Sequence, residues 1–282
     1  MILVADSGST KTDWCKYENG FKSDYSTLGV NPMIHSVEYI TEALLGSNIF
    51  YDIKNKVQNI YFYGAGCSAD GRNNKVKSVL QPYFPNAKID IEHDMLAAVI
   101  ALHGDSDGIA CIMGTGSNSV LQKDKQLIEK VPSLGYILGD EAGGVDLGKK
   151  FLIDFLYKKL PIEIYNYAKN ELLLNKESIL QNVYQNPAAN KYMASFIPHI
   201  THFRGTEYIQ QVLRDKFSLF FEYHILCYED YEKFPIGCIG SIANIFSQEL
   251  QTVAHSYHTS IDIFLQKPIE SLTDYHIRNS NA

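Results

Sequence analysis

Two short glycine-containing segments carry residue types that suit phosphate binding. They are Asp6–Thr12, with the sequence DSGSTKT, and Gly114–Asn118, with the sequence GTGSN, and each follows an apolar run typical of a buried strand. Glycine leaves backbone N–H groups uncovered, and such groups bind phosphate oxygens without any net positive charge. The hydroxyls of Ser9 and Thr10 and the ammonium of Lys11 add donors to the first segment. The sequence therefore predicts two phosphate-binding turns.

Asp6, at the end of the first apolar run, supplies the carboxylate that such a site needs for a cation. Carboxylate oxygens, often through water, hold the Mg²⁺ of a bound nucleotide. Neither segment has the spacing of a Walker P-loop or of the GxGxxG dinucleotide fingerprint. One such turn alone is weak evidence, since most proteins that carry only the first motif have a hairpin turn beside a solvated carboxylate, so the interpretation depends on the motifs occurring together.

The elements around these turns first form a meander and then alternate between strands and helices. Asn19-Gly20 is a strong two-residue hairpin signal. Helical spacing of apolar residues separates several of the later strands, which favours an α/β layer with parallel strands. A helix-rich stretch covers 149–228. The predicted strands cover residues 2–6, 12–17, 21–27, 58–63, 89–91, 109–113, 234–239 and 261–265.

Composition excludes several classes of protein. With 25 basic and 32 acidic residues, the 282-residue chain has a net charge of −7, which argues against a broad electrostatic grip on nucleic acid or on an anionic membrane. The five cysteines are scattered and form no CxxC pair, so a zinc ribbon or a disulfide framework is not expected. No stretch approaches the roughly 20 apolar residues of a membrane helix, and no signal peptide is recognisable. We expect a cytoplasmic protein.

The motifs, taken in order, resemble those of the actin/hexokinase/Hsp70 ATPase superfamily and, within it, the BadF/BadG/BcrA/BcrD group. More narrowly, the chain is similar to the N-acetylglucosamine kinases of that group, over essentially its whole length. The pairing of GTGSN with GDE is specific to this branch, whereas the first motif is shared more widely. The residues that carry the resemblance are Asp6–Thr12, Gly29–Pro32, Glu92–Asp94, Gly114–Asn118, Leu134–Tyr136, Gly139–Glu141 and Gly240-Ser241.

The chain departs from the family pattern at four places, one of which is Tyr136, where the family often has tryptophan. Ser7 stands where glycine is common, and Ala142-Gly143-Gly144 replaces the usual Gly-Ser-Gly or Gly-Ser-Ala. Ile239 stands where a second glycine is frequent before Gly240. These departures concern the loops rather than the carboxylates.

The resemblance implies an α/β fold of two ribonuclease H-like, actin-like ATPase domains with a cleft between them. We expect an N-terminal domain of residues 1–114 plus 268–282, and a helix-rich C-terminal domain of residues 115–267. A homodimer is compatible with the helix-rich second domain.

The resemblance also implies ATP and Mg²⁺ as cofactors and a sugar as the small-molecule substrate. Asp6 is the expected metal ligand. The expected ATP contacts are Ser9, Thr10, Lys11, Thr115, Gly116, Gly240 and Ser241. The expected sugar contacts are Asn31, Asn118, Gly135, Tyr136 and Asp140, whose amide, carboxylate and ring groups suit hydroxyls, an N-acetyl group and a sugar face.

Asp94 is the expected general base. A sugar hydroxyl is a poor nucleophile, and a carboxylate that accepts its proton assists phosphoryl transfer. From the residues alone, a helix N-cap is the commoner interpretation of Asp94, and the resemblance reverses that weighting. Glu141 is expected either to join the Asp140 network or to cap the following helix.

The function that the resemblance implies is ATP-dependent phosphorylation of the 6-hydroxyl of an amino sugar, N-acetylglucosamine first among them. One alternative is an ATPase activator of a CoA-ester dehydratase or reductase, whose relatives carry a cysteine-bound iron–sulfur cluster. Cys111 and Cys227 form no convincing cluster pair, which ranks it low. The other alternative is a non-catalytic sugar sensor on the same fold, against which Asp6, Asp94 and Asp140 speak.

Overall fold

The structure is a computed structural model that describes residues 1–8 and 10–280. The chain divides into two compact units, one holding Met1–Asp105 with the chain from Lys267 onward and the other holding Ser106–Gln266. The two units contain one five-stranded mixed sheet each. None of the helices in the described part of the chain is long and apolar enough to cross a membrane.

The strands and helices have the following bounds. The strands are β1 (Ile2–Ser7), β2 (Lys11–Glu18), β3 (Phe21–Leu28), β4 (Asn59–Gly64), β5 (Lys88–His93), β6 (Gly108–Met113), β7 (Ser117–Lys123), β8 (Gln126–Ile128), β9 (Ile236–Ile239) and β10 (Ile263–Leu265). The helices are α1 (Val37–Leu45), α2 (Asp70–Tyr83), α3 (Asp94–His103), α4 (Gly135–Leu138), α5 (Gly144–Leu156), α6 (Ile162–Asn170), α7 (Lys176–Tyr184), α8 (Ala189–Ala194), α9 (Ile197–His202), α10 (Glu207–His224), α11 (Ser241–Ile245), α12 (Ser247–Ser256) and α13 (Ile269–Ser280).

The sheet of the first unit has the strand order β3-β2-β1-β4-β5. Strand β2 runs antiparallel to both β1 and β3, whereas β4 is parallel to β1 and β5 is parallel to β4. Asn19 and Gly20 have φ values of 50° and 87°, as the hairpin between β2 and β3 requires. The predicted meander followed by parallel strands is therefore confirmed.

Side chains of β1 alternate between two apolar cores because successive residues of a strand point to opposite faces. Leu3 and Ala5 pack with Trp14 in the larger core, which also holds residues of α1 and α2. Ile2 and Val4 pack on the other face, with Tyr63 of β4, Ala97 of α3 and Leu272 of α13. Strand β1 is thus buried on both faces, which fixes the position of the turn that follows it.

The sheet of the second unit has the order β10-β9-β6-β7-β8, with β6 central. Strand β6 is antiparallel to β7 and parallel to β9, so each sheet has two antiparallel and two parallel strand pairings around a central first strand. The predicted first domain ends at residue 114 and therefore includes β6, and neither β7 nor β8 was predicted from the sequence. Strand β6 pairs with β7 and β9, which places it in the second unit; the domain boundaries themselves stay a prediction.

The helix-rich stretch of the second unit lies between β8 and β9 and comprises α4 to α10. Its apolar residues form one extensive core with the buried faces of β6 and β9. Helix α10 contributes Phe217, Phe220 and Phe221, which are fully buried. These aromatic side chains are core residues, and they anchor α10 against the rest of the unit.

Candidate functional site

The first phosphate-binding motif forms the turn between β1 and β2. The Gly8 N–H donates to Lys11 O at 3.0 Å, which closes the turn. At its base, the Ser7 and Thr12 hydroxyl oxygens lie 2.8 Å apart, and both residues are buried. Ser9, an expected ATP contact, lies outside the described residues. The buried pair of hydroxyls holds the two strands together where the chain reverses.

Gly29, which follows β3, packs directly against this turn. Its N–H donates to Thr10 O at 3.1 Å. A Cβ on Gly29 would overlap Gly8 O and Lys11 N and would lie 2.6 Å from Thr10 C, all of them backbone atoms. The turn is therefore supported from below by a backbone segment that only glycine allows so close.

Asp13 holds two ammonium groups beside the turn. The Lys11 Nζ is 2.6 Å from Asp13 Oδ1, and the Lys267 Nζ is 3.0 Å from Asp13 Oδ2. Hydrogen bonding to Asp13 is the main cause that raises the pKa of Lys11, so its ammonium stays charged. Lys11 and Lys267 together place positive charge at the end of the sheet that carries Asp6.

Asp6 and Asp94 lie at the same edge of the first sheet. Asp6 pairs in register with Tyr63 of β4, and His93, the residue before Asp94, pairs with Gly64 of the same strand. Burial, and after it the carboxylates of Asp94 and Asp13, raise the pKa of Asp6 to about 7, while Lys267 opposes the rise. A buried carboxylate with a second carboxylate nearby forms a site suited to a proton or a cation.

Asp94 is the first residue of α3, and the N-cap position belongs to His93. The Asp94 Oδ1 accepts the Met95 N–H at 3.0 Å. Asp94 therefore does not occupy the N-cap position, although its carboxylate accepts a backbone N–H in the first turn of its own helix. The helix start nevertheless fixes the carboxylate, as expected from its position.

Asn31 lies in the loop after β3. Its Oδ1 accepts the Met33 N–H at 3.0 Å, and its own N–H donates to His35 Nδ1 at 3.0 Å. The side chain also packs against Gly66, in the loop that follows β4. Asn31 is thus held by local bonds on the side of the first unit that carries the β1–β2 turn.

The second phosphate-binding motif forms the turn between β6 and β7. The Gly114 N–H donates to Gly116 O at 2.9 Å within the turn. The first turn of α5 then bonds to it, because the Gly144 and Val145 N–H groups donate to Gly114 O and Thr115 O at 2.8 Å and 3.0 Å. This motif is therefore tied to the start of α5.

Asp140 belongs to the loop that leads into α5. The Ser117 N–H points to Asp140 Oδ1 at 3.5 Å, and the Asp140 carboxylate lies against Gly116. Burial is the main cause that raises the pKa of Asp140, with Glu141 and Asp146 adding to the rise. Asp140 and Ala142 have φ values of 60° and 61°, a backbone conformation that residues with a Cβ rarely adopt.

Glu141 neither caps α5 nor points to the same partners as Asp140. The N-cap residue of α5 is Gly143, without a side-chain bond. The Glu141 Oε2 instead accepts from His224 Nε2 at 3.1 Å. His224 is 3% exposed, and burial lowers its pKa, so its ring is neutral near pH 7 and donates from Nε2.

Gly135 and Tyr136 begin the short helix α4, just before the Asp140 loop. The Gly139 N–H donates to Gly135 O at 2.9 Å, and Tyr136 packs partly against the core of the unit. A pocket of about 380 Å³ opens beside this segment and is lined by Asp140, Glu141 and His224, among others. Of the residues expected to contact sugar, Asp140 lines this pocket, whereas Gly135 and Tyr136 lie next to its lining residues Leu134 and Leu138 in sequence and do not line it.

Gly240 and Ser241 join β9 to α11. The Gly240 N–H donates to Leu265 O at 3.0 Å, and Gly240 packs against the backbone of Met113 at the end of β6. Ser241 is exposed at the first position of α11. This segment thus lies beside the GTGSN turn, as the carboxyl ends of neighbouring parallel strands must.

The structure brings most of the expected residues of each unit together. In the first unit, Asp6, Lys11 and Asp94 share one edge of the sheet. In the second unit, Asn118 lies within β7, and its Oδ1 accepts the Ser119 N–H at 2.9 Å. Asp13 was not predicted as a site residue, although the alternation of side chains between the two faces of β2 could have indicated it. Polar residues distant in sequence, for which no local signal exists, were not predicted either. These are Lys267, Asp146, Lys216 and His224.

Comparison with known proteins gives matches among solved structures only. No protein-family model matches the sequence, and no curated protein matches it. The structure of a putative N-acetylglucosamine kinase from Porphyromonas gingivalis is 35% identical, with a TM-score of 0.93, and the match covers 99% of this chain and 100% of that one. A putative N-acetylglucosamine kinase from Chromobacterium violaceum is 15% identical over 96% of each chain, with a TM-score of 0.69. A putative N-acetylmannosamine kinase from Listeria monocytogenes is 13% identical over 99% of this chain, with a TM-score of 0.52.

The last two matches show the fold, since their identities are low. The first shows the family, because it combines 35% identity with a match along nearly the whole of both chains. The two mixed sheets described above agree with the expected actin-like, ribonuclease H-like architecture. The chain belongs to the same family as the putative N-acetylglucosamine kinase from Porphyromonas gingivalis and has the actin-like ATPase, hexokinase-type fold.

Proposed function

We propose that the protein is an ATP-dependent kinase that phosphorylates the 6-hydroxyl of an amino sugar, with N-acetylglucosamine as its substrate. The observation that carries the proposal is the pair of carboxylates, Asp6 and Asp94, at one edge of the first sheet. Asp6 lies next to the β1–β2 turn, which is the first phosphate motif, and Asp94 begins α3. The name of the Porphyromonas gingivalis relative supports the same reaction and the same sugar.

In the proposed reaction, Asp94 acts as the general base. Its carboxylate accepts the proton of the sugar 6-hydroxyl while the oxygen bonds to the γ-phosphorus and the bond from that phosphorus to the leaving ADP oxygen breaks. A positioned base of this kind contributes roughly 10²–10⁴-fold to the rate. Asp94 suits the task because the backbone of Met95 holds one of its oxygens in place.

The phosphates of ATP are proposed to contact the two glycine-containing turns. In the first unit the contacts are Thr10 and Lys11, with Ser9 proposed from the sequence. In the second unit they are Thr115 and Gly116, while Gly240 and Ser241 are proposed to contact the adenosine. Asp13 supports the first set, since it holds the Lys11 ammonium at 2.6 Å beside the turn.

The residues of the first unit also fit a magnesium ion. Among the described residues, no group of three or more His, Cys, Asp or Glu side chains could enclose a metal. Magnesium in kinases is instead held by one or two carboxylates, water and the substrate phosphates. Asp6 is the proposed ligand because its carboxylate is buried and lies near the Asp94 carboxylate, so that a cation would offset negative charge there. When bound, the ion neutralises charge on the phosphates.

The sugar contacts are proposed separately for each unit. Asn31 is the contact in the first unit, and its side chain is ordered by the Met33 N–H. In the second unit the contacts are Asn118, Gly135, Tyr136 and Asp140, of which Asp140 borders the 380 Å³ pocket. A carboxylate that binds two neighbouring sugar hydroxyls discriminates strongly against sugars that lack them.

A coupled ADP-release assay over hexoses, amino sugars and N-acetylated sugars tests the proposal. We expect turnover with N-acetylglucosamine, and the product should be the 6-phosphate by mass spectrometry and ³¹P–¹H correlation NMR. Turnover of plain hexoses alone would contradict the amino-sugar assignment. ADP release that needs no sugar would favour the ATPase activator, and a lack of ADP release with every sugar would favour the sensor.

The two-domain organisation, the homodimer and the cytoplasmic location are part of the same proposal. The helix-rich second unit is what supports a dimer. Light scattering on the purified chain tests it, since a homodimer of a 31.8 kDa chain has a mass near twice that value.

A further inference from the structure

Helix α10 contacts the Asp140 loop directly at one point and, at a second point, through Asp146 of α5. At its C-terminal end, His224 Nε2 donates to Glu141 Oε2 at 3.1 Å. Two turns earlier, Lys216 Nζ donates to Asp146 Oδ1 at 2.9 Å, and Asp146 Oδ2 accepts the Ala142 N–H at 3.1 Å. Glu141 is therefore tied to α10 directly, and Ala142 is tied to it through Asp146.

Each contact pairs one buried side chain with one that is partly exposed, since the Glu141 side chain is 23% exposed and the Lys216 side chain is 21% exposed. His224 is 3% exposed and Asp146 is 6% exposed. The His224 ring also stacks on Phe220 with ring centroids 4.7 Å apart, and its backbone carbonyl accepts the Ser119 hydroxyl at 2.7 Å. The position of the His224 donor is thus set by the core rather than by solvent, which makes it a rigid anchor.

The loop needs such anchors because of its backbone. Asp140 and Ala142 both have φ near 60°, which residues with a Cβ adopt only when the surroundings impose it. Asp140 itself has few bonds of its own: the Ser117 N–H is 3.5 Å away from its carboxylate. The conformation that presents Asp140 must therefore come from the neighbouring residues.

We propose that α10 positions the Asp140 carboxylate for the sugar, through His224 acting on Glu141 and through Lys216 acting on Asp146. His224 and Lys216 are positioning residues, since neither is proposed to touch substrate. The inference rests on the proposed function, in which Asp140 contacts the sugar. A position set by two contacts that are each anchored on a buried side chain is rigid enough to affect sugar affinity without taking part in the chemistry.

Hydrogen exchange measured by mass spectrometry tests the positioning without any substrate. His224→Leu removes the donor to Glu141, and Lys216→Met removes the ammonium but keeps the apolar stem. We expect exchange of the peptide covering 139–145 to accelerate at least about tenfold in each variant. Tyr208→Phe is the matched control, because it removes the bond from the Tyr208 hydroxyl to buried Asp154, a contact between α10 and α5 outside the loop.

Steady-state kinetics of the same variants tests the consequence. We expect the KM for N-acetylglucosamine to rise about tenfold in His224→Leu and Lys216→Met, while the KM for ATP changes less than about twofold. The conservative variants His224→Gln and Lys216→Arg, which keep a donor, should restore most of the sugar KM. They also keep the test decisive if His224→Leu fails to fold.

The outcomes separate the inference from the function on which it rests. Unchanged exchange of 139–145 in both donor-removing variants, or equal acceleration in Tyr208→Phe, would overturn the positioning role whatever the activity. Accelerated exchange with an unchanged sugar KM would overturn its importance for the sugar. If the wild-type chain phosphorylated no sugar, the proposed function would fail, and the exchange result alone would still decide whether α10 orders the loop.

Discussion

The Asp140 carboxylate lies against Gly116, so closely that a Cβ on Gly116 would be 2.5 Å from Asp140 Oδ2. Gly116 belongs to the GTGSN turn and Asp140 to the loop before α5, so the contact joins a proposed ATP motif to a proposed sugar residue. The contact also means that the smallest substitution at Gly116 acts on a side chain 24 positions away in sequence.

Gly116→Ala should therefore raise the KM for the amino sugar about tenfold with little loss of stability. The φ of Gly116 is not positive, so alanine fits the backbone, and the clash is relieved by rotation of the Asp140 side chain. The measurement is the sugar KM together with the melting temperature. Gly205→Ala is the control, because a Cβ at Gly205 meets nothing within 4 Å. An unaltered sugar KM in Gly116→Ala would show that Asp140 does not need its present position.

Gly29→Ala, unlike Gly116→Ala, should act mainly on stability and lower the free energy of unfolding by about 2–3 kcal/mol. The added Cβ would meet backbone atoms of Gly8, Thr10 and Lys11, which cannot rotate away as a side chain can. Because the displaced atoms form the β1–β2 turn, we also expect weaker ATP binding. Urea unfolding and ATP titration measure the two effects. Gly71→Ala, in open space on α2, should leave ATP binding intact.

Asp94→Asn should reduce kcat by roughly 10²–10⁴-fold, the usual contribution of a general base. The asparagine keeps an oxygen that can accept the Met95 N–H, so α3 and the substrate KM values should change little. The comparison is with Asp70→Asn, which alters another carboxylate in the first turn of a helix in the same unit. A kcat for Asp94→Asn within about threefold of wild type would exclude Asp94 as the base.

The stability of the first unit should depend on pH through His276 of α13. His276 stacks on Tyr61 with centroids 3.6 Å apart, and its Nε2 is 2.8 Å from the Tyr63 hydroxyl. Burial lowers the pKa of His276 from 6.5 to about 4, and Asp90 opposes the shift. Because the His276 ring resists protonation in the folded protein, its contribution to the free energy of unfolding is complete above about pH 6.5 and is lost as the pH falls towards 4.

The full loss amounts to about 3 kcal/mol, at 1.36 kcal/mol per pKa unit. Urea unfolding at pH 7.5 and pH 4.5 measures it in wild type and in His276→Gln, which cannot titrate. The variant should lose less stability than wild type between the two pH values. His258→Gln, at an exposed histidine, should lose as much as wild type. An equal loss in His276→Gln would contradict the assignment.

Particular residues show how far sequence reasoning reached. Asp6 and Asp94 could be placed together beforehand because each follows a predicted strand, and the carboxyl ends of parallel strands meet at one edge of a sheet. The hairpin at Asn19-Gly20 was predictable because few residue pairs adopt two positive φ values. The role of His93 as N-cap of α3, in place of Asp94, was not predictable, because helix ends cannot be located to one residue from pattern alone.

The sequence by itself determined the motifs, their order and the α/β alternation, since these depend on residue type and on spacing along a few neighbouring positions. Only the tertiary structure decided which distant side chains meet them. Lys267 reaches Asp13 and His224 reaches Glu141 across 254 and 83 positions respectively, the differences between their residue numbers. Such contacts depend on how whole elements pack, and local periodicity carries no information about that packing. The left-handed backbone of Asp140 is likewise imposed by neighbours that only the folded chain supplies.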